Sequence, residues 1–234
     1  MDLSIIIPSY RELENLQVLL PELSKELMNT GINYEIIVVE TVDLCEETIM
    51  ECSNYANVKY INRSPANTYG DAVRSGINNS IGEFLIFMDA DGSHSPSFIK
   101  NLFNARNKTD IVIASRYIDG GKTDNGVILI FMSFVVNKLY SLVLNLNVKD
   151  VSNSFKLYKS KDLKILDLEC TNFDIVEEIL YKCKINNPEI KILELPYTFK
   201  KRMYGQTKRN LLIFIFTFIL TLFKLKFTKR KKCL

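Results

Sequence analysis

Residues 3–27 read LSIIIPSYRELENLQVLLPELSKEL, and they decide the fold class. Residues 3–7 are almost wholly apolar and end at Pro8, which predicts a short buried strand. Leu13, Leu16, Leu20, Leu23 and Leu27 then recur at spacings of three and four, so they share one face of an amphipathic helix. A strand feeding directly into such a helix opens a β-α-β unit. Further strand-type runs stand at residues 35–39, 58–61, 84–88 and 111–114, with helical patterns at 46–55, 70–79 and 96–105 between them. Repeats of this kind predict an α/β fold: a mainly parallel, doubly wound sheet with helices on both faces, binding ligands at the carboxyl ends of its strands.

The second half is less regular. A long apolar helix is expected at residues 127–146 and another at 173–183, where Phe173, Val176, Leu180 and Cys183 share a face; a strand at 190–195 ends at Pro196. No internal repeat appears, which favours one composite domain over two independent ones. The 234 residues are 47% hydrophobic and 24% charged, an ordinary balance for a globular protein. The net charge of +3 conceals an asymmetry, because residues 195–234 hold 11 Lys/Arg and no Asp/Glu, leaving 19 basic and 27 acidic residues elsewhere. These basic residues flank the apolar run 211–223, a pattern suited to anionic lipid head groups and not to nucleic acid. Cys45, Cys52, Cys170, Cys183 and Cys233 are scattered without a Cys-x-x-Cys pair, so neither a disulfide framework nor a zinc cluster is expected. The N-terminal residues enter a strand-type run without a basic leader, so no secretory signal is expected.

The apolar run 84–88 is followed immediately by Asp89, Ala90 and Asp91. Two carboxylates at alternate positions on the ligand edge of a sheet suit a hard divalent cation, Mg²⁺ or Mn²⁺, that bridges nucleotide phosphates. An isolated Asp-x-Asp is usually only a solvated turn. Here, however, Pro8, Ser9, Tyr10, Arg11 and Glu12 close the first strand and Glu40 closes the second, so three strand ends converge. Tyr10 can cover a base, while Glu12 or Glu40 can accept hydrogen bonds from base or ribose.

The blocks IIIPSYRELENL, YEIIVVE and FLIFMDADGSHSP, in that order, resemble the nucleotide-sugar domain of GT-A glycosyltransferases. DIVIASRY, DVSNSFKLY and PYTFKKRMYGQTK continue the likeness into the dolichol-phosphate mannosyltransferase and polyprenyl-phosphate glycosyltransferase branch. The match spans almost all of residues 3–208. It implies a GT-A domain at residues 1–209, with a nucleotide-sugar half at about 1–106 and an acceptor half at about 107–209, then an apolar helix and basic tail at 210–234 that associate with a membrane.

By the resemblance, Pro8, Tyr10, Glu12 and Glu40 contact the nucleotide; Asp89 and Asp91 are the paired carboxylates; Ser93 joins them as a metal ligand. Arg116, Arg202 and Lys208 are expected to grip the donor diphosphate or the acceptor phosphate, the arginines as bidentate forks and the lysine as a point charge. Relatives usually carry Asp-Asp-Gly-Ser after the second strand, whereas this chain has Glu40, Thr41, Val42 and Asp43, and Lys156 replaces a common Arg. Asn153, Gln206 and Thr207 stand where small residues or glycine are common. GDP-mannose is the donor this branch suggests first, with UDP-glucose and UDP-N-acetylglucosamine as alternatives. Members of the branch are anchored by extra helices or by small membrane subunits, so such a subunit is an admissible partner.

A polyprenyl phosphate has a second pKa near ~6, so its oxygen is already anionic at neutral pH and needs no general base. The only histidine, His94, follows the acid pair without an evident partner. The expected reaction is a single displacement that inverts the anomeric centre, at the cytosolic face of a membrane. Spanning a bilayer takes about 20 apolar residues, so the run 211–223 is short for it, and an interfacial or re-entrant helix is expected, with a helix packed on the domain as the alternative. Two other functions compete: a transferase acting on soluble glycans, and a non-catalytic nucleotide-sugar-binding scaffold, for which the altered segment 40–43 speaks.

Overall fold

The computed structural model describes residues 1–205 and 211–227, apart from the side chains of residues 211–216. The chain runs β1 (Leu3–Pro8), α1 (Leu13–Met28), β2 (Tyr34–Glu40), α2 (Glu46–Ser53), β3 (Val58–Asn62), α3 (Tyr69–Asn79) and β4 (Phe84–Phe87). A 3-10 turn (Pro96–Phe98) leads into α4 (Ile99–Ala105), β5 (Ile111–Ser115), β6 (Lys122–Thr123) and α5 (Val127–Val143). Then come β7 (Lys156–Lys159), α6 (Ser160–Lys164), α7 (Ile175–Asn186), β8 (Ile192–Pro196), β9 (Thr198–Phe199) and α8 (Leu211–Lys226).

Seven strands form the central sheet in the order β3-β2-β1-β4-β7-β5-β8, and β6 pairs with β9 in a small second sheet. The pairs of β1 with β2 and β4, of β2 with β3 and of β5 with β8 are parallel, while β7 runs antiparallel to both its neighbours. The expected mainly parallel α/β sheet is therefore present, with one reversed strand inserted between β4 and β5. That strand, residues 156–159, was not expected: its lysines at both ends disguise a segment whose Leu157 and Tyr158 are buried.

Because side chains alternate across a strand, β1 feeds both cores. Ile6 enters one cluster with Ala72, Val73 and Ile77 of α3 and Ile175, Ile179 and Leu180 of α7. Ile5 and Ile7 enter the other, with Leu16, Leu19, Leu20, Leu23 and Leu27 of α1 and Ile99 and Leu102 of α4. Each such leucine, fully removed from water, contributes about 1.5–3 kcal/mol. Since α1 covers one face and α3 the other, the strand order reverses beside β1, and the crevice at the carboxyl ends of β1 and β4 is the switch point where such sheets bind ligands.

α8 packs on the domain through Phe218, Leu222 and Leu225. Tyr140 donates a 2.6 Å hydrogen bond to the Phe218 carbonyl, Thr221 donates to Asp174, and Lys224 pairs with Glu169 at 2.6 Å. Its opposite side leaves Ile219, Leu220, Phe223 and Phe227 exposed, and α5 exposes Val127, Ile128, Phe131, Phe134 and Leu142. Between the two helices lies an apolar groove of about 240 Å³. No described helix is long and apolar enough to cross a membrane.

Candidate active site

β1, β2 and β4 end side by side, and the loops that leave them carry the expected nucleotide-site residues. Pro8 is buried at the end of β1, and the turn that follows puts Arg11 at φ 55°. Glu40 makes that turn possible. It is fully buried, and its carboxylate accepts bonds from the Arg11 N–H at 2.9 and 3.1 Å, the Ser9 hydroxyl at 2.8 Å and the Thr41 N–H at 2.9 Å. Its longer stem thus reaches back to shape the β1 loop, and its oxygens are spent on protein donors. Arg63, also buried, donates to the carbonyls of Glu40 at 3.0 Å, Thr68 at 3.0 Å and Ser9, and lies 5.7 Å under the exposed ring of Tyr10. Burial lowers its pKa, opposed first by Glu40.

Beyond β4, Asp89 and Asp91 keep 27% and 21% of their side chains exposed. Gly92 at φ 78° folds the chain back, so the Ser93 N–H donates to Asp91 at 3.0 Å. Ser154, from the loop before β7, donates to Asp89 at 3.0 Å. The Ser93 hydroxyl is buried and has no hydrogen-bond partner among the described residues. An unpaired buried hydroxyl costs free energy unless something meets it. Two partly exposed carboxylates and this hydroxyl offer hard oxygen donors, the chemistry that suits a divalent cation. Among the described residues no group of three or more His, Cys, Asp or Glu gathers.

The segment after β9 closes over this corner. The Lys200 N–H donates to the Ser93 carbonyl at 3.2 Å and the Met203 N–H to the Asp91 carbonyl at 2.9 Å. Between them Arg202 grips Glu12 through two bonds of 2.7 and 2.9 Å, with its Nε 3.5 Å from an Asp91 oxygen. Arg116 stands on the other flank at the end of β5. Its Nε and Nη2 each lie 2.7 Å from Asp150, and Nη2 donates to Ser152 at 3.0 Å. Burial opposes the charge, but Asp150 raises the Arg116 pKa above its ordinary value. Lys156 is fully buried and donates to the carbonyls of Val151, at 2.8 Å, and Asn153. Burial pulls its pKa down to about 8 against the pull of Asp150. Lys208, together with Gln206 and Thr207, lies outside the described residues.

Of the expected site residues, Tyr10, Glu12, Asp89, Asp91, Ser93 and Arg202 therefore gather around one crevice. Pro8 and Glu40 lie beneath it as buried supports, and Arg116 is paired beside it. The supporting residues Arg63, Asp150 and Ser154 were not anticipated. Asp150 and Ser154 fall inside the DVSNSFKLY block, where their bonds to partners 34 and 65 residues away leave no local signal; Arg63 carries none at all.

The model of the family described as glycosyl transferase family 2 matches residues 4–166. Among curated proteins, the dolichol-phosphate mannosyltransferase of Pyrococcus furiosus is 34% identical over 89% of this chain. The chain spans only 59% of that relative's length. The undecaprenyl-phosphate mannosyltransferase of Micrococcus luteus is 28% identical over 88% of this chain and 86% of its own. A solved structure of glucosyl-3-phosphoglycerate synthase from Mycobacterium tuberculosis, with Mn²⁺, UDP and phosphoglyceric acid, superposes with a TM-score of 0.70 at 15% identity, covering 97% of this chain and 79% of that one. At such low identity the superposition shows the GT-A-like fold alone. With a family model covering most of its length and a curated relative at 34% identity, the chain belongs to glycosyl transferase family 2.

Proposed function

We propose that this protein is an inverting, metal-dependent glycosyltransferase that moves a sugar, mannose from GDP-mannose first, onto a polyprenyl or dolichyl phosphate at the cytosolic face of a membrane. The observation that carries this reading is the meeting of Asp89, Asp91 and Ser93 with the Glu12–Arg202 pair in one crevice. Asp89, Asp91 and Ser93 would hold Mg²⁺ or Mn²⁺, which supplies charge neutralisation on the departing diphosphate. Tyr10 covers the base, Glu12 receives the ribose, and Pro8 and Glu40 hold the loop that presents them. Arg202, Arg116 and Lys208 set the phosphate groups in place.

The acceptor phosphate oxygen attacks the anomeric carbon as the bond from that carbon to the diphosphate breaks, and the electron pair leaves on the diphosphate. Because the attacking oxygen is already anionic, the chain contributes alignment and electrostatic stabilisation and does not need to remove a proton. The names of the Pyrococcus and Micrococcus relatives support a polyprenyl-phosphate acceptor. A UDP-sugar is the alternative donor, as the Mycobacterium neighbour holds UDP.

The exposed apolar sides of α5 and α8 support a helix pair lying in the membrane interface, since a contiguous apolar surface of this kind on a folded domain is a contact surface. The basic residues 229–232 that follow in the sequence suit anionic head groups. A small membrane subunit would find the same face. The experiment is sugar transfer from radiolabelled GDP-mannose, UDP-glucose and UDP-N-acetylglucosamine to dolichyl or undecaprenyl phosphate in anionic vesicles. A labelled lipid with one donor establishes the activity and names the sugar. Nucleotide binding with no lipid product from any donor points to the scaffold role.

A further inference from the structure

His94 follows the carboxylate pair, yet its ring is fully buried. It stacks on Phe155 with centroids 4.6 Å apart and planes at 11°, and the edges of Tyr197 and Phe199 close two further sides. Both ring nitrogens are engaged. Nδ1 lies 3.0 Å from the Asp89 N–H, which can only donate, so Nδ1 is the acceptor and carries no proton. Nε2 therefore carries the hydrogen and donates it to Asn153 Oδ1 at 3.1 Å. The amide orientation agrees, because Asn153 Nδ2 donates to the Ala114 carbonyl at 2.6 Å.

The chain of bonds continues across the site. The Asn153 N–H donates to Asp150 at 3.2 Å, and Asp150 holds Arg116 by its two-pronged pair. A buried, hydrogen-bonded line thus runs from the backbone of Asp89 through His94, Asn153 and Asp150 to Arg116. A packed ring with both nitrogens committed has one position only, and so do the groups bonded to it. Neither nitrogen is open to substrate, so His94 is no general base.

We propose that His94 and Asn153 are positioning residues: they fix the backbone of Asp89, and with it the cation site, at a set distance from Arg116. This rests on the reading that Asp89 and Asp91 hold a divalent cation. Acceptance of the Asp89 N–H by residue 94 is the contact that matters, and Asn153 locks the ring that makes it. His94→Asn can retain that acceptor, since Asn Oδ1 falls near the position of Nδ1. His94→Gln sends its amide toward Asn153 instead, and His94→Phe keeps the stack while losing both bonds.

The test titrates Mn²⁺ into the full chain with GDP, and separately with UDP, reading free Mn²⁺ by electron paramagnetic resonance, with thermal melts of every variant alongside. Asp91→Ala, which removes the cation site itself, abolishes the tight Mn²⁺ site. His94→Phe, His94→Gln and Asn153→Leu weaken it by about 10- to 100-fold, the usual effect of losing a group that orients a ligand, and His94→Asn stays near wild type. If Asp91→Ala loses the site while the folded His94 and Asn153 variants bind as wild type does, the positioning role is overturned and the cation reading stands. Equal weakening in His94→Asn and His94→Phe also overturns it, because the acceptor would then be irrelevant. An Asp91→Ala protein that binds Mn²⁺ as tightly as wild type overturns the underlying cation reading itself.

Discussion

Arg202 holds Glu12 through two parallel bonds across 190 residues of sequence, and the Arg202 Nε lies 3.5 Å from Asp91. The pair ties the segment after β9 to the start of α1, directly over the carboxylates. Arg202→Lys keeps the charge but loses the planar fork. Sugar transfer is expected to fall on the order of 10²-fold in kcat, the scale of losing one oriented donor to developing charge. Stability should change by less than about 1 kcal/mol, because the pair is partly exposed. Steady-state kinetics and a denaturation curve measured together check both halves.

The Arg116–Asp150 pair is different because Asp150 is fully buried and the Arg116 side chain only 8% exposed. Removing one partner strands the other charge away from water. Asp150→Ala is expected to lose about 3–5 kcal/mol of stability, readable as a lower urea midpoint. A loss below about 1 kcal/mol would mean that Arg116 reaches solvent in the variant.

Lys156 supplies a pH dependence. Burial lowers its pKa from 10.5 to about 8 in the folded chain, while the unfolded chain keeps the ordinary value. Between these limits the unfolded state binds more protons, so this group's contribution to stability rises with pH. The cost of burying the charged ammonium is present in full below pH 8 and is relieved as pH climbs toward 10.5. Comparison with Lys156→Met isolates it: wild type should gain on the variant across that window, and a constant difference would contradict the assignment.

Much of this fold was legible in the sequence for concrete reasons. The leucine spacing in α1 and the apolar run of β1 each report burial on one element, and neighbouring residues suffice to display it. β7 was hidden because its Lys156 is buried with its ammonium turned onto the Val151 and Asn153 carbonyls, a solution that depends on a loop and not on a periodic pattern. The carboxylates Asp89 and Asp91 were legible because an apolar strand ran straight into them. In the sequence Glu40 reads as a nucleotide contact, but the bonds it accepts from the Ser9 hydroxyl and the Arg11 N–H exist only once β1 and β2 pair.

Gly92 adds a backbone test. Its φ of 78° disfavours a side chain, and a Cβ there would stand 2.4 Å from the end of the Met203 side chain. Gly92→Ala is expected to cost about 1–2 kcal/mol from the left-handed backbone alone, plus the displacement of Met203. Met203→Ala in the same chain should recover the second part and leave the first. A double-mutant cycle with no coupling between the positions would show that Met203 moves aside freely.

On the proposed function, the carboxylate corner serves sugar transfer to a lipid phosphate. Its most direct test is the rate of labelled lipid formation for wild type and Asp91→Ala over a Mn²⁺ titration, with EDTA as the zero point. Wild type is expected to give a product that rises with Mn²⁺ and vanishes in EDTA, and Asp91→Ala a rate lowered by at least about 10²-fold at every Mn²⁺ concentration. A product formed equally well by Asp91→Ala, or undiminished by EDTA, would contradict it.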